Sequence, residues 1–367
     1  MSQLHQILVG DCIEMMRTLP DRSVHTCVTS PPYFGLRDYG VEGQIGLEET
    51  PAEFISRLVE VFREVRRVLR DDGTAWVNMG DSYASISGGY AKGGQAGKHG
   101  AVSTATRGAV LRGQRPTPPK GFKPKDLMGM PWRLAFALQD DGWYLRQDII
   151  WHKPNPMPES TRDRCTKAHE YIFLLSKSRR YHCDMQAIRE PAAESSITRW
   201  AQDLEQQSGS DRVPGKTNGP MKAVGGQRSR RDSFQRDDSK REQAIPGQSK
   251  GTHRPDRSES QWDIASRNKR SVWTVPTQGF KGAHFATFPP DLIRPCVLAG
   301  APRGGVVLDP FGGAGTTSLV SMQEGRKSII CELNPEYAKL ARARVDAAWL
   351  DGSSQMDLLH DTTSNIY

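Results

Sequence analysis

The chain has 367 residues, 36% of them hydrophobic and 25% charged, with a formal net charge of +8, which suits one large core carrying an insertion. No run of about 18 apolar residues occurs, and the N-terminus MSQLHQILVGDC lacks the charged-then-apolar pattern of a signal peptide, so a membrane span is excluded and a cytoplasmic location is expected. The six cysteines form no CxxC pair and read as reduced thiols, while Cys165, His169, His182 and Cys183 match no common zinc spacing, so no metal is expected.

In chain order, His25–Ser30 predicts a buried strand that runs straight into the corner Ser30-Pro31-Pro32-Tyr33. Pro51–Gly73 predicts a helix, with Phe54, Leu58, Val61, Phe62, Val65 and Leu69 at helical spacing and Gly73 as its stop. Thr74–Gly80 reads as the next strand, Met130–Gly142 as a helix, and Tyr144–Lys153 and His169–Ser178 as two further strands. His284–Gly305 reads as a helical stretch. Strand Val306–Phe311, a glycine turn, helix Thr316–Gly325 and strand Lys327–Leu333 complete the series. Such alternation predicts an α/β fold around a mostly parallel sheet.

The positive charge sits in two insertions. Ser85–Lys125 has eight Lys and Arg and no acid, and Ser196–Arg270 has sixteen Lys and Arg against ten Asp and Glu, which leaves the remainder at −6. Both segments are rich in Gly, Ser, Gln and Pro and read as long loops. Basic flexible insertions on an acidic body favour a polyanion, because Lys and Arg gain affinity by releasing counterions from phosphates.

The turn after Val306–Phe311 carries the second chemical signal. Asp309 stands at a strand end, Gly312, Gly313 and Gly315 lie in the turn, and Glu332 follows Gly315 by seventeen residues. Glycines there let a nucleotide approach the backbone, and an acid at about that distance bonds ribose hydroxyls. Ser318 replaces the third glycine of a dinucleotide fingerprint, which argues against an NAD-type oxidoreductase, and no Gly-Lys-Ser/Thr is present. The cofactor wanted is a nucleoside without a pyrophosphate.

Val28-Thr29-Ser30-Pro31-Pro32-Tyr33, followed far downstream by Asp309-Pro310-Phe311-Gly312-Gly313-Ala314-Gly315, resembles the β class of DNA amino-methyltransferases over residues 1–190 and 271–350. In that class the catalytic motif precedes the cofactor motif, with target recognition between them. The resemblance implies S-adenosylmethionine as cofactor and a Rossmann-like, mostly parallel sheet with helices on both faces. It places the cofactor against Asp11, His284, Phe285, Asp309, Phe311, Gly313, Gly315, Thr316 and Glu332, with Asp11 beside the adenine and Glu332 on the ribose. It divides the chain into a catalytic half (1–190, with the basic loop 85–125), a target-recognition region (191–270), a cofactor half (271–350) and a tail (351–367). Double-stranded DNA is the implied partner and a cognate restriction endonuclease a candidate one, in a bacterial or phage system, with the chain a monomer or homodimer.

The chemistry accounts for the corner independently. An exocyclic amine is a poor nucleophile because its lone pair is delocalised into the ring. The Ser30 hydroxyl oxygen and the Pro31 carbonyl can accept from the amine and aim that lone pair at a sulfonium methyl. Pro31 and Pro32 stiffen the corner, and Tyr33 can stack on a base extruded from the duplex. Ser30 at the first position is the pattern associated, by resemblance, with cytosine N4; adenine N6 is the alternative, and a binding protein without turnover a remote one. Pro295-Cys296 resembles a cytosine-C5 nucleophile, yet it sits on a helical run and reads as core. Arg107, Arg112, Arg115, Lys120, Lys123 and Lys125 are expected on phosphates, and Trp200, Arg228, Arg230, Arg231, Trp262 and Arg267 on bases.

Overall fold

Residues 4–35, 40–84, 118, 121–201, 265–278 and 288–350 are described by a computed structural model of the chain. They fall into a larger unit, within Met1–Ile188 and Arg270–Tyr367, and a smaller one within Arg189–Lys269.

The larger unit is built on an eight-stranded sheet: β1 (His5–Val9), β2 (Val24–Thr29), β3 (Leu69–Met79), β4 (Tyr144–His152), β5 (His169–Ser176), β8 (Val272–Thr274), β9 (Val306–Asp309) and β10 (Lys327–Glu332). Their order across the sheet is β1-β10-β9-β2-β3-β5-β4-β8. Every pairing is parallel except those of β5, which runs against β3 and β4. β2 is buried almost throughout, as a strand covered on both faces must be. Successive residues feed opposite faces: Cys27, Ala75, Phe173 and Leu308 point to one core, Val28, Trp76, Leu174 and Val307 to the other.

Helices α1 (Cys12–Arg17), α2 (Pro51–Val68) and α3 (Met130–Asp140) cover the first face. Helices α5 (Pro290–Gly300) and α6 (Thr316–Gln323) cover the second, and α7 (Pro335–Leu350) packs on α6 and β1. In α2 the local rules agree. Thr50 caps the start in a reciprocal box with Glu53, Pro51 opens the first turn, and Phe54, Leu58, Val61, Phe62 and Val65 are fully buried. Each such side chain gains on the order of 2 kcal/mol from leaving water.

The expected end of this helix needs correction. It stops at Val68, and Gly73 is not its stop but lies inside β3, which begins at Leu69 and pairs there with Val24. Leu69 falls on the apolar spacing of the helix and is fully buried in the strand, so helical spacing could not reveal the switch. Pairing with β2, a long-range event, decided it. Cys296 is 1% exposed on α5, as core.

The smaller unit contains α4 (Glu194–Ala201) and a two-residue antiparallel ladder between β6 (Glu190–Pro191) and β7 (Ser266–Arg267). Arg267, expected on a base edge, is held here by Glu190 at 3.0 Å across the ladder.

Candidate active site

β2 and β9 are neighbours at the centre of the sheet, but the chain leaves them toward helices on opposite faces. Such a switch point leaves a crevice outside the carboxyl ends of the strands, where open α/β sheets bind ligands. A cavity of about 420 Å³ lies there. Ser30, Pro31, Pro32, Tyr33, Asp11, Asp309, Phe311, Gly313, Thr316 and Glu332 all line it, so residues from both motifs converge on one space.

A buried carboxylate ties the two motifs together. Asp309 is 1% exposed and accepts from the Thr29 hydroxyl at 2.6 Å, the Thr317 hydroxyl at 2.7 Å and the Phe311 N–H at 3.0 Å. Burial holds its pKa above the usual carboxylate range, against the pull of those three donors. Thr29 immediately precedes Ser30, so Asp309 sets where the Ser-Pro-Pro-Tyr corner starts relative to the glycine turn.

Tyr33 is fixed by a cluster that local sequence patterns do not announce. Its phenol donates to Glu170 Oε2 at 2.8 Å. Asn78 Nδ2 donates to the same oxygen at 3.3 Å, and Lys153 Nζ pairs with Glu170 Oε1 while lying 4.3 Å from the centre of the Trp151 ring. Burial first, and then the Glu170 charge, push the Tyr33 pKa well up, so the phenol stays a neutral donor. Asn78, Trp151, Lys153 and Glu170 line the cavity and come from β3, β4, β5 and the loop after β4. The signal available in the sequence was weak: charged residues at the ends of two strands read as apolar.

Gly80 makes room for this arrangement. A Cβ there would stand 2.9 Å from Tyr33 Cε2 and 3.1 Å from the Glu170 carboxyl carbon. Gly80→Ala is expected to displace the Tyr33 ring and to cost roughly 1–3 kcal/mol of stability, the scale of core overpacking. Urea unfolding alongside single-turnover methyl transfer checks both effects; a variant matching wild type in each would show that the ring yields freely.

On the cofactor side, Glu332 Oε2 accepts from Gly313 N and Oε1 from Asn334 N, each at 2.8 Å, which turns the carboxylate into the glycine turn. Two oxygens carry four lone-pair sites, so acceptor capacity remains for a diol. Asp11 caps α1 through Ile13 N and Glu14 N and faces Arg57 at 3.8 Å. Gly315 does not line the cavity. Its φ of +75° and a Cβ position 2.9 Å from Ala341 Cβ make it a packing glycine between α6 and α7. The acid pair, glycine turn and aromatic Phe288, Phe311 and Tyr337 suit an adenosyl group, and the volume lies in the usual range of ligand pockets.

Several expected residues fall elsewhere. His284, Phe285, Arg107, Arg112, Arg115, Lys120, Arg228, Arg230, Arg231 and Trp262 lie outside the described residues, as does the Trp200 side chain. Lys123 is exposed beside Asp126 at 4.0 Å, and Lys125 pairs with Asp163 at 2.5 Å.

A switch-point cavity uniting a Ser-Pro-Pro-Tyr corner with an Asp-Pro-Phe-Gly-Gly turn is the arrangement of a nucleoside-binding α/β enzyme. The chain belongs to the N6_N4_Mtase family of DNA methylases, whose pattern matches residues 24–343. It is 44% identical over 336 residues to the type II methyltransferase M.XycI of Xanthomonas campestris pv. cyanopsidis, covering 92% of this chain and 86% of that one. Among solved structures it resembles the putative DNA modification methylase TTHA0409 of Thermus thermophilus complexed with S-adenosyl-L-methionine, with a TM-score of 0.50, 21% identity and coverage of 94% and 95%. It also resembles the cytosine-N4-specific PvuII DNA methyltransferase, with a TM-score of 0.53, 16% identity and coverage of 92% and 84%. The protein is a site-specific DNA methyltransferase of the β-class amino-methyltransferase type, and S-adenosylmethionine is its methyl donor.

Proposed function

We propose that this methyltransferase acts on the N4 amine of cytosine in double-stranded DNA, by extruding the base and transferring the methyl group directly. The observation that carries this reading is Ser30, the first residue of the corner, on the wall of the cavity that also holds Glu332 and Gly313. S-adenosylmethionine supplies an electrophilic methyl group when bound. The Ser30 oxygen and the Pro31 carbonyl accept from the amine, Tyr33 offers its ring to the extruded base, and Glu332 receives ribose hydroxyls. Positioning carries the rate and no covalent nucleophile takes part.

Sequencing of DNA from an expressing host, read for modified bases and their context, tests the proposal. N4-methylcytosine at one recurrent sequence is the expected result, and N6-methyladenine would transfer the same geometry to the alternative base.

Glu332→Ala is expected to weaken S-adenosylmethionine binding by about 1.5–3 kcal/mol, the worth of a charge-assisted hydrogen bond. Calorimetry reads this directly, and unchanged affinity would place the ribose elsewhere. Burial also holds the Glu332 pKa above the usual carboxylate range. The acceptor form is therefore lost earlier on acidification than for an ordinary glutamate, and affinity should begin to fall while exposed carboxylates are still ionised.

A further inference from the structure

The loop from Lys153 to Ala168, between β4 and β5, crosses the edge of the sheet at which the cavity opens. Lys153 at its start and Glu170 just past its end both line that cavity. The loop is pinned along its length. Asn155 exchanges hydrogen bonds with Thr277, a cavity residue, at 2.9 Å and 3.2 Å. Farther on, Arg164 bonds Glu159 at 2.5 Å and lies 3.8 Å from the centre of the Tyr83 ring, and Lys167 Nζ donates to Asp81 O at 2.6 Å.

Between these anchors stands Met157, flanked by Pro156 and Pro158 with Pro154 close before them. The residue is 77% exposed, more than any other large apolar residue among those described. A lone apolar side chain in water is ordinary. This one differs in being presented by a proline-stiffened segment that also carries the exposed Arg162 and is tied two residues earlier, through Asn155, to the cavity residue Thr277. That composition matches a partner with a phosphate exterior and an apolar, stacked interior. Pulling a base out of a duplex leaves a hole between its neighbours, and proteins fill or open such steps with apolar wedges.

We propose that Met157 is the wedge that occupies the space vacated by the target base, with the exposed Arg162 of the same loop on a flanking phosphate. The proposal rests on the base-extrusion reading above. Met157 is not among the residues that line the cavity, so its contribution is confined to holding the base out.

The test compares two duplexes containing the target found by sequencing: one intact, and one with an abasic site opposite the target base, which leaves that base unpaired. Single-turnover methyl transfer is measured at saturating S-adenosylmethionine, with donor affinity by calorimetry as the check on folding. Met157→Ala should slow transfer on the intact duplex roughly ten-fold, the worth of one stacking step, yet leave the abasic-partner duplex near the wild-type rate. Met157→Leu should recover most of the loss. An unchanged rate on the intact duplex, or an equal loss on both, overturns the wedge while leaving the extrusion reading intact. A target base that stays stacked in the wild-type complex, read by a fluorescent base analogue placed at the target in the intact duplex, overturns the extrusion reading, and the wedge with it.

Discussion

Ser30→Ala is expected to reduce methyl transfer roughly 100-fold or more, the scale on which a positioned electrostatic partner is missed in a transition state. The loss should appear in the single-turnover rate and not in donor affinity, because Glu332, the residue proposed to hold the donor's ribose, is left intact on the cavity wall. The physical reason is directional. An amine conjugated with its ring must pyramidalise before it attacks, and a hydroxyl oxygen held at a stiff proline corner favours that shape. Alanine keeps the corner and removes the acceptor. A single-turnover rate near wild type with S-adenosylmethionine would show that the Pro31 carbonyl suffices and that Ser30 is a spacer.

Asp309→Ala should have the largest effect on stability. It strands two hydroxyls and one N–H in the centre of the sheet, and each buried donor left unsatisfied costs about 1–3 kcal/mol. Hydroxyl rotation recovers part, as the Thr317 hydroxyl already lies 3.4 Å from Val28 O. A net loss of about 3–5 kcal/mol is expected, the sum of these unsatisfied donors less what rotation recovers. If the variant folds, transfer should also fall roughly 100-fold, because small displacements at a reacting centre cost that much. Asp309→Asn separates shape from charge. The wild-type carboxyl has a raised pKa in the folded state, so folding takes up protons there. Its favourable contribution is complete below the unfolded-state value and is lost as pH rises through the folded one. Wild type should therefore gain on the Asn variant as pH falls from neutral toward the carboxylate range. Urea unfolding at two pH values measures this, and a difference that does not move with pH would mean that Asp309 titrates as it does in the unfolded chain.

Much of the fold was legible in the sequence. Helices α2, α3 and α6 and strands β2, β4, β5, β9 and β10 carry their own period, caps and turn residues within a dozen positions. The Ser-Pro-Pro-Tyr corner and the glycine turn were legible for the same reason, since their chemistry is compressed into six or seven consecutive residues. Strand β1 and helix α7 were not read. β1 is short with a half-exposed pattern, and α7 buries only Ala338, Ala341 and Val345, too narrow a stripe to stand out. Glu170, Lys153 and Asn78 escaped because each is an ordinary polar residue in its local context. Only the antiparallel entry of β5 between β3 and β4 brings them to Tyr33.

The amino-acid sequence by itself determined the α/β class, the order of the two motifs and the chemistry each supports, because periodicity, proline stiffness and glycine permissiveness act locally. Tertiary structure alone decided three things: that α2 yields to β3 at Leu69, that Asp309 serves first as a clamp on Thr29 and Thr317, and that a Glu170–Lys153 pair seats Tyr33. Each depends on at least one strand neighbour tens to hundreds of residues away. Burial there removes water as the competing partner, and a buried polar group takes whichever partner the sheet delivers.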